Sequence, residues 1–261
     1  MDLGLRGRTA FVAASSRGMG LAIADAFAAE GAGVGMCART EPDLGAAAES
    51  VRAHGTRVVA IPADLSVAAS VRDAVARAAA ELGRLDMLVV NAGGPPPGTF
   101  ETLDDDDWRH AHDLTLMSAI HLVRESLPHL RASDAASITF VSSYSIRQPI
   151  PGLVLSNAVR MSVAGLAKSL AVELAPAIRV NTLMPGFIAT GRSLQLAEAR
   201  GAALDQTAGA VMTGSAKQIP LRRYGTPEEF ARVAVFVASP AAAYVTGATI
   251  PVDGGIIRGT L

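Results

Sequence analysis

Cysteine, aromatic residues and any surplus of one charge are what this chain has least of. Its 261 residues include one cysteine, Cys37, which excludes an intramolecular disulfide framework and fits a reducing compartment. Lys and Arg number 23 against 24 Asp and Glu, so neither nucleic acid nor an anionic membrane surface is an expected partner. No apolar run approaches the roughly 20 residues of a membrane span. Asp2 and Arg6 flank no signal-peptide core, and a cytoplasmic protein is expected. Aromatics make up 4% of the sequence while 50% is hydrophobic, so the core must be packed mainly with aliphatic side chains. A linker rich in Gly, Pro or Ser is missing, as is an internal repeat, which leaves a single domain over residues 1–261. The five histidines are scattered, and His110 and His112 would diverge on a helix. The acidic run Asp104–Asp107 reads as the cap of a helix, where carboxylates favour the positive end of the dipole. No metal is expected.

What is present is alternation. Apolar runs predict strands at Thr9–Ala14, Val34–Cys37, Arg57–Pro62, Met87–Asn91, Ser137–Ser142, Arg179–Met184 and Thr249–Val252. Helical periodicity falls between them, at Leu21–Glu30, about Pro42–Ala53, Val67–Leu82, Trp108–Leu130, about Ser156–Leu174 and Pro227–Ala238. Strands that are nearly all apolar, separated by helices, imply a doubly wound parallel sheet covered on both faces, an α/β fold of Rossmann type.

The first strand runs into Ser15-Ser16-Arg17-Gly18-Met19-Gly20 and then a helix. Glycines there let a backbone approach a pyrophosphate whose charge sits at the helix N-terminus. A plain structural turn is the other reading of two glycines, and the strand-turn-helix context favours the nucleotide.

Further motifs stand in order along nearly the whole chain. Val12–Gly20 resembles the Thr-Gly-x-x-x-Gly-x-Gly turn of the short-chain dehydrogenase/reductase family, and Ala63-Asp64-Leu65 its adenine contact. Asn91-Ala92-Gly93 is similar to its fourth-strand motif, Pro185-Gly186-Phe187-Ile188-x-Thr190 to its nicotinamide-carboxamide segment, and Tyr244–Gly255 to its C-terminal strand and turn. The resemblance implies that Ser15, Ser16, Arg17, Gly18, Met19, Gly20, Asp64, Leu65, Asn91, Gly93, Pro185, Gly186, Ile188 and Thr190 surround a nicotinamide dinucleotide. One departure is that Ala13-Ala14 stands for Thr-Gly, so this turn lacks its usual φ-permissive residue.

An NAD site places an acid at the end of the second strand, to receive the ribose hydroxyls. Here Ala38 occupies that position and Arg39 follows. Arg39 and Arg17 suit a 2′-phosphate, which points to NADP(H); the competing reading makes Arg39 a solvated strand-end residue. Cys37 reads as a buried strand residue.

The resemblance also implies a catalytic set of Ser, a Tyr thirteen positions on, a Lys four beyond that, and an Asn on the preceding long helix. Ser143 matches the serine, but Ser156 stands at the Tyr position, Arg160 at the Lys position and Thr115 at the Asn position. The continuing helix, Ala164–Ala171, keeps the register. The Ser156 hydroxyl is far less acidic than a phenol, and Arg160 is no proton relay at ordinary pH, though it can hold the nicotinamide ribose. Tyr144 is the nearest phenol in sequence, with packing as its alternative role.

The expected function is an NADP(H)-dependent oxidoreductase, probed against two others: a non-redox isomerase, lyase or dehydratase on this scaffold, and a catalytically silent NADP-binding subunit. Residues of about 190–220, with Leu194, Leu196, Leu204, Val211 and Met212, read as a substrate lid and imply a small-molecule substrate with a hydrophobic portion. Helices that are apolar on more than one face imply a homodimer or homotetramer. If Arg17 and Arg39 read the 2′-phosphate, NADPH binds at least about tenfold tighter than NADH, ~1.4 kcal/mol. Equal affinities by titration, or a ratio unchanged in Arg39→Asp, would remove that assignment.

Overall fold

Short tetrads and pentads such as Thr9–Val12 and Ser137–Val141 are buried at every position, which only a sheet covered on both faces allows. The computed structural model describes residues 1–259. Its strands are β1 (Thr9–Val12), β2 (Gly33–Ala38), β3 (Val58–Pro62), β4 (Met87–Val90), β5 (Ser137–Val141), β6 (Arg179–Pro185) and β7 (Thr249–Val252). They form one parallel sheet in the order β3-β2-β1-β4-β5-β6-β7. The order reverses between β1 and β4, the switch point at which doubly wound sheets open a crevice beyond their carboxyl ends.

The helices are α1 (Gly18–Ala29), α2 (Glu41–Arg52), α3 (Ala68–Leu82), α4 (Asp105–His112), α5 (Ser118–Leu130), α6 (Val154–Glu173), α7 (Gly191–Leu204), α8 (Ala208–Ala216) and α9 (Pro227–Ala238). One face of the sheet buries α1, α2 and α9 through Ile23, Phe27, Leu44, Val51, Phe230 and Val235. The other buries α3, α5 and α6 through Val71, Val75, Leu122, Val163 and Ala167. Full burial of each large aliphatic or Phe side chain stabilises by about 1.5–3 kcal/mol, and the core is aliphatic with four large phenylalanines fully buried, Phe11, Phe27, Phe140 and Phe230. Among the described residues no helix is long and apolar enough to cross a membrane.

At the amino ends of the strands, the fully buried Asp86 accepts from the Thr9 amide at 2.8 Å and from Ser133 Oγ at 2.6 Å, with Arg84 on its other side. Arg8 reaches Asp134 at 2.7 Å. This cluster ties β1, β4 and the approach to β5 together and satisfies the buried carboxylate.

Three predicted boundaries are corrected. Helix α1 begins at Gly18, three residues before the expected Leu21, because the phosphate-type turn continues directly into the helix. The long helix expected from Trp108 starts at Asp105 instead. Asp104 accepts from the amides of Asp106 and Asp107, and Asp107 returns the bond to Asp104 N. It is also interrupted by a π turn over Asp113–Met117. The segment near 190–220 is two helices, α7 and α8.

The turn after β1 is strained where the sequence departs from its expected glycine. Ala14 lies at φ 50, the left-handed region, which costs a side-chain-bearing residue roughly 1–2 kcal/mol. Ala14→Gly removes that penalty while giving back part of it as unfolded-chain entropy. The expected net gain is about 0.5–1 kcal/mol, and a rise in Tm of about 1–4 °C by calorimetry; an unchanged or lower Tm would show that Ala14 is not strained.

Candidate active site

At the first turn, Asn91 at the end of β4 donates its side-chain amide to Ala13 O at 3.2 Å and Ala14 O at 3.3 Å. A Cβ at Gly20 would stand 2.2 Å from Ala14 O, so only glycine lets α1 begin here. Gly18 takes φ 58, and a Cβ on it would meet Thr190 Cγ2 at 3.5 Å. Helix α1 starts with Arg17 in extended conformation, no side-chain cap and no acid in its first turn. Thr190 in turn caps α7, accepting from Ser193 N at 3.3 Å. Two helix N-termini thus converge on Gly18, a positive end at each. A dinucleotide pyrophosphate fits this cradle.

The other predicted cofactor residues divide between the cleft and the scaffold. Ser15 is fully buried, and its Oγ accepts from Cys37 N at 3.1 Å, so its side chain braces β1 against β2 and does not face the cleft. Leu65 and Ile188 are likewise buried, which leaves their backbone alone for a ligand. Ser16 and Met19 are half-buried beside the turn, and Arg17 and Arg39 are exposed. Arg39 stands directly after β2 and contributes to holding Asp64 below the usual carboxylate range, chiefly an effect of the Ser66 hydroxyl bond to Asp64. Gly93 is exposed beyond β4. Pro185 ends β6, and Gly186 has no room for a side chain, since a Cβ would meet Asp253 Cα at 2.7 Å. Cys37 is fully buried and its thiol is pushed up to about 12 by desolvation, which excludes it as a nucleophile at neutral pH.

Beyond β5 the chemistry-bearing residues gather. Ser143, half-buried, caps a short turn and accepts from Ser145 N at 3.1 Å. Arg160 comes up from α6: its Nε donates to Ser156 Oγ at 3.2 Å, and its Nη1 to Ser142 O at 3.3 Å and Val141 O at 3.4 Å. Desolvation, followed by the charge of Arg192, brings the Arg160 guanidinium down to about 10. Thr115 lies buried within the π turn, and such turns often mark functional sites. Its Oγ1 and that of Ser142 are buried without a hydrogen-bond partner. Ser143, Ser156 and Arg160 are therefore brought together, with Thr115 on the helix that faces α6.

Tyr144 turns the other way. Its ring packs against Phe187 at 5.6 Å, and Phe187 against Tyr224 at 5.2 Å, beside Ile219 and Ile256. Burial, then the neighbouring Tyr224, pushes its phenol up to about 12. Arg192, on the first turn of α7, was not singled out by its sequence. It reaches across the cleft to donate to Pro95 O at 2.5 Å and lies over Gly94. A cation at a helix N-terminus opposes the dipole, and that was the available signal.

A family model described as enoyl-(acyl carrier protein) reductase matches residues 13–257. The short-chain reductase protein NovJ of Streptomyces niveus is 37% identical over 94% of this chain and 92% of its own length. A solved L-sorbose reductase from Gluconobacter frateurii, complexed with NADPH and L-sorbose, superposes with a TM-score of 0.94 at 32% identity, covering 99% of this chain and 100% of that one. An NADPH-bound short-chain oxidoreductase from Pseudomonas aeruginosa PAO1, described as containing an atypical catalytic center, superposes at 0.89 with 36% identity over 98% and 99% of the two chains. The chain belongs to the short-chain dehydrogenase/reductase family, whose relatives here are named as reductases and oxidoreductases.

The Tyr144 environment has a consequence in alkali. A phenol raised from about 10 to about 12 binds its proton more tightly when folded, so its contribution to stability is intact below about pH 10 and is lost as pH rises through about 12. Denaturant titrations should show stability falling across that window, and Tyr144→Phe should flatten the fall. An identical alkaline slope in the variant would show the phenol to be solvated.

Proposed function

We propose that the protein is an NADP(H)-dependent oxidoreductase with an atypical catalytic set, acting on a carbonyl, hydroxyl or activated double bond in a substrate with a hydrophobic portion. The observation that carries the reading is the placement of Arg160, locked to Ser156 Oγ and to the carbonyls of Val141 and Ser142 that lead into Ser143, beyond a cradle suited to a pyrophosphate. The NADPH held by similar structures and the arginines at the end of β2 and before α1 support the cofactor.

Bound NADPH supplies the hydride. The chain's part is to orient and to stabilise charge. Ser143 donates to the substrate oxygen as negative charge develops on it. Arg160 holds the nicotinamide ribose and places a cation beneath that oxygen. Ser156 fixes Arg160 and transfers no proton. Tyr144, with its phenol near 12, remains protonated at neutral pH and is a slow acid at best, so water or the substrate's own acid completes the reaction. Positioning carries much of such a barrier, and activated acceptors are therefore preferred over simple ketones. Helices α7 and α8 act as the lid, with Ala197 and Val211 turned inward. Assembly into a homodimer or homotetramer uses the outer face of α6, where Met161 and Val172 are exposed.

Single-turnover mixing with NADPH should show absorbance loss with quinones, diketones or enones and little with unactivated ketones. Ser143→Ala should slow the reaction about 10²–10³-fold with unchanged NADPH affinity. The double change Ser156→Tyr with Arg160→Lys should bring in simple ketones by restoring a general acid, worth roughly 10²–10⁴-fold. No NADPH consumption with any acceptor would leave the binding-subunit or non-redox reading; fast ketone reduction insensitive to Ser143→Ala would overturn the site.

A further inference from the structure

Two guanidinium groups meet at the reacting end of the crevice, and no carboxylate of the protein answers either of them. Arg160 rises from α6 to the carbonyls that end β5. Arg192 comes from the first turn of α7 to Pro95 O, just beyond β4. Strands β4 and β5 are hydrogen-bonded neighbours, with Val90 beside Phe140, so the two anchors lie side by side on adjacent strand ends. Arg8 and Arg84, at the opposite end of the sheet, are by contrast answered by Asp86 and Asp134. Among the described residues neither Arg160 nor Arg192 enters an ion pair.

Their hydrogen-bonding capacity is also only partly used. Arg160 commits Nε and Nη1 to neutral acceptors, and Arg192 commits Nη2 to one carbonyl. No protein acceptor faces Arg160 Nη2, or Nε and Nη1 of Arg192, among the described residues. Contrast Arg179, which places both terminal nitrogens on four carbonyls at the end of α9 and before β7. Burial lowers both active-site arginines, and for Arg160 the charge of Arg192 adds to it. Desolvated cations side by side are unfavourable unless an anion joins them.

The cofactor's 2′-phosphate does not fill that place. The arginines suited to a 2′-phosphate follow β2 and precede α1, and β2 is three strand spacings from β5, roughly 14 Å. The pyrophosphate cradle is centred on Gly18, where α1 begins, whereas Arg192 turns from α7 to Pro95 and Gly94 beyond β4. The planar fork of a guanidinium matches a carboxylate, which accepts two parallel bonds.

Resting on the reading of this crevice as the substrate site, we infer that Arg192, with the charge of Arg160 beside it, binds a carboxylate of the substrate, which is an organic acid with an apolar portion. The acid group then fixes which carbon faces the nicotinamide, and a carbonyl or double bond close to that carboxylate is the bond reduced.

The test is binding, so it does not depend on turnover. The full-length protein, with and without NADPH, is titrated calorimetrically with phenylacetate against phenylacetamide and with octanoate against octanamide. Each acid should bind at least about tenfold tighter than its amide. Arg192→Gln should abolish that preference and leave the amide affinity and the NADPH affinity within about twofold of the parent. Arg192→Lys, which keeps the charge and loses the fork, should fall between. Equal binding of acid and amide, no binding of either, or an Arg192→Gln variant that keeps the preference and loses NADPH affinity would overturn the inference, the last by assigning the guanidinium to the cofactor. Acid preference in a protein that consumes no NADPH would retain this inference and remove the redox reading.

Discussion

Two carbonyl groups, those of Ala13 and Ala14, set the geometry on which the cofactor end depends. Both accept from the Asn91 amide at the end of β4, and the second closes against Gly20, where a Cβ would come within 2.2 Å. Strand β1, strand β4 and helix α1 are thus joined at one peptide unit. The left-handed Ala14 costs roughly 1–2 kcal/mol, and two hydrogen bonds of about 1 kcal/mol each offset it. Because the chain must turn there, α1 begins at Gly18 with its amide groups free of any side-chain cap. The same turn brings Gly18 against Thr190, the residue that caps α7. Asn91 is in this sense a scaffold residue before it is a cofactor residue.

The opposite end of the sheet has the complementary task. Asp86 is buried and fully answered there by an amide, a hydroxyl and an arginine, which fixes β1, β4 and the entry to β5 at their amino ends. Cavities of about 370 and 530 Å³ do open on that side, lined by Arg8, Arg84 and Asp134 or by α3 and the end of α5. Their charges are already paired with one another. At the carboxyl ends the polar groups are instead left partly unpaired: the hydroxyls of Thr115 and Ser142, and most donors of Arg192. Unsatisfied buried polarity is costly in a scaffold and useful in a site, and the two ends of this sheet differ in whether their cations are answered by carboxylates.

The sheet was legible because each strand is apolar at successive positions, a pattern that only a two-sided parallel sheet tolerates, and Pro227–Ala238 and Thr249–Val252 fall where periodicity put them. The start of α1 was not, because Gly18 and Gly20 are poor helix formers and are helical here only through tertiary contact. The aspartates before Trp108 were read as a cap, and the cap lies one turn earlier than the apolar period suggested because acids favour the first turn itself. A π turn has no periodic signature in sequence. Ser15 looked like a phosphate ligand by its place in the motif, yet its hydroxyl is spent on Cys37, and only the spatial approach of β2 reveals that. Arg192 lies in a stretch whose apolar residues suggested a lid, and its reach to Pro95 depends on where α7 lands.

What the site can do follows from which of its groups can release a proton. Tyr144 holds its proton to about 12 and Arg160 to about 10, so at neutral pH neither exchanges it quickly with a substrate. A site so built lowers a barrier by surrounding developing negative charge with fixed donors and cations, which require no reorganisation as the charge appears, and not by neutralising that charge. Substrates that spread the charge over their own atoms, as conjugated carbonyls do, gain most from such surroundings, whereas an isolated ketone forms a localised alkoxide that needs a proton at once. The two arginines anchored at the ends of β4 and β5 therefore act in the same sense on different parts of a substrate: Arg192 holds an anion that is present from the start, and Arg160 favours the one that forms.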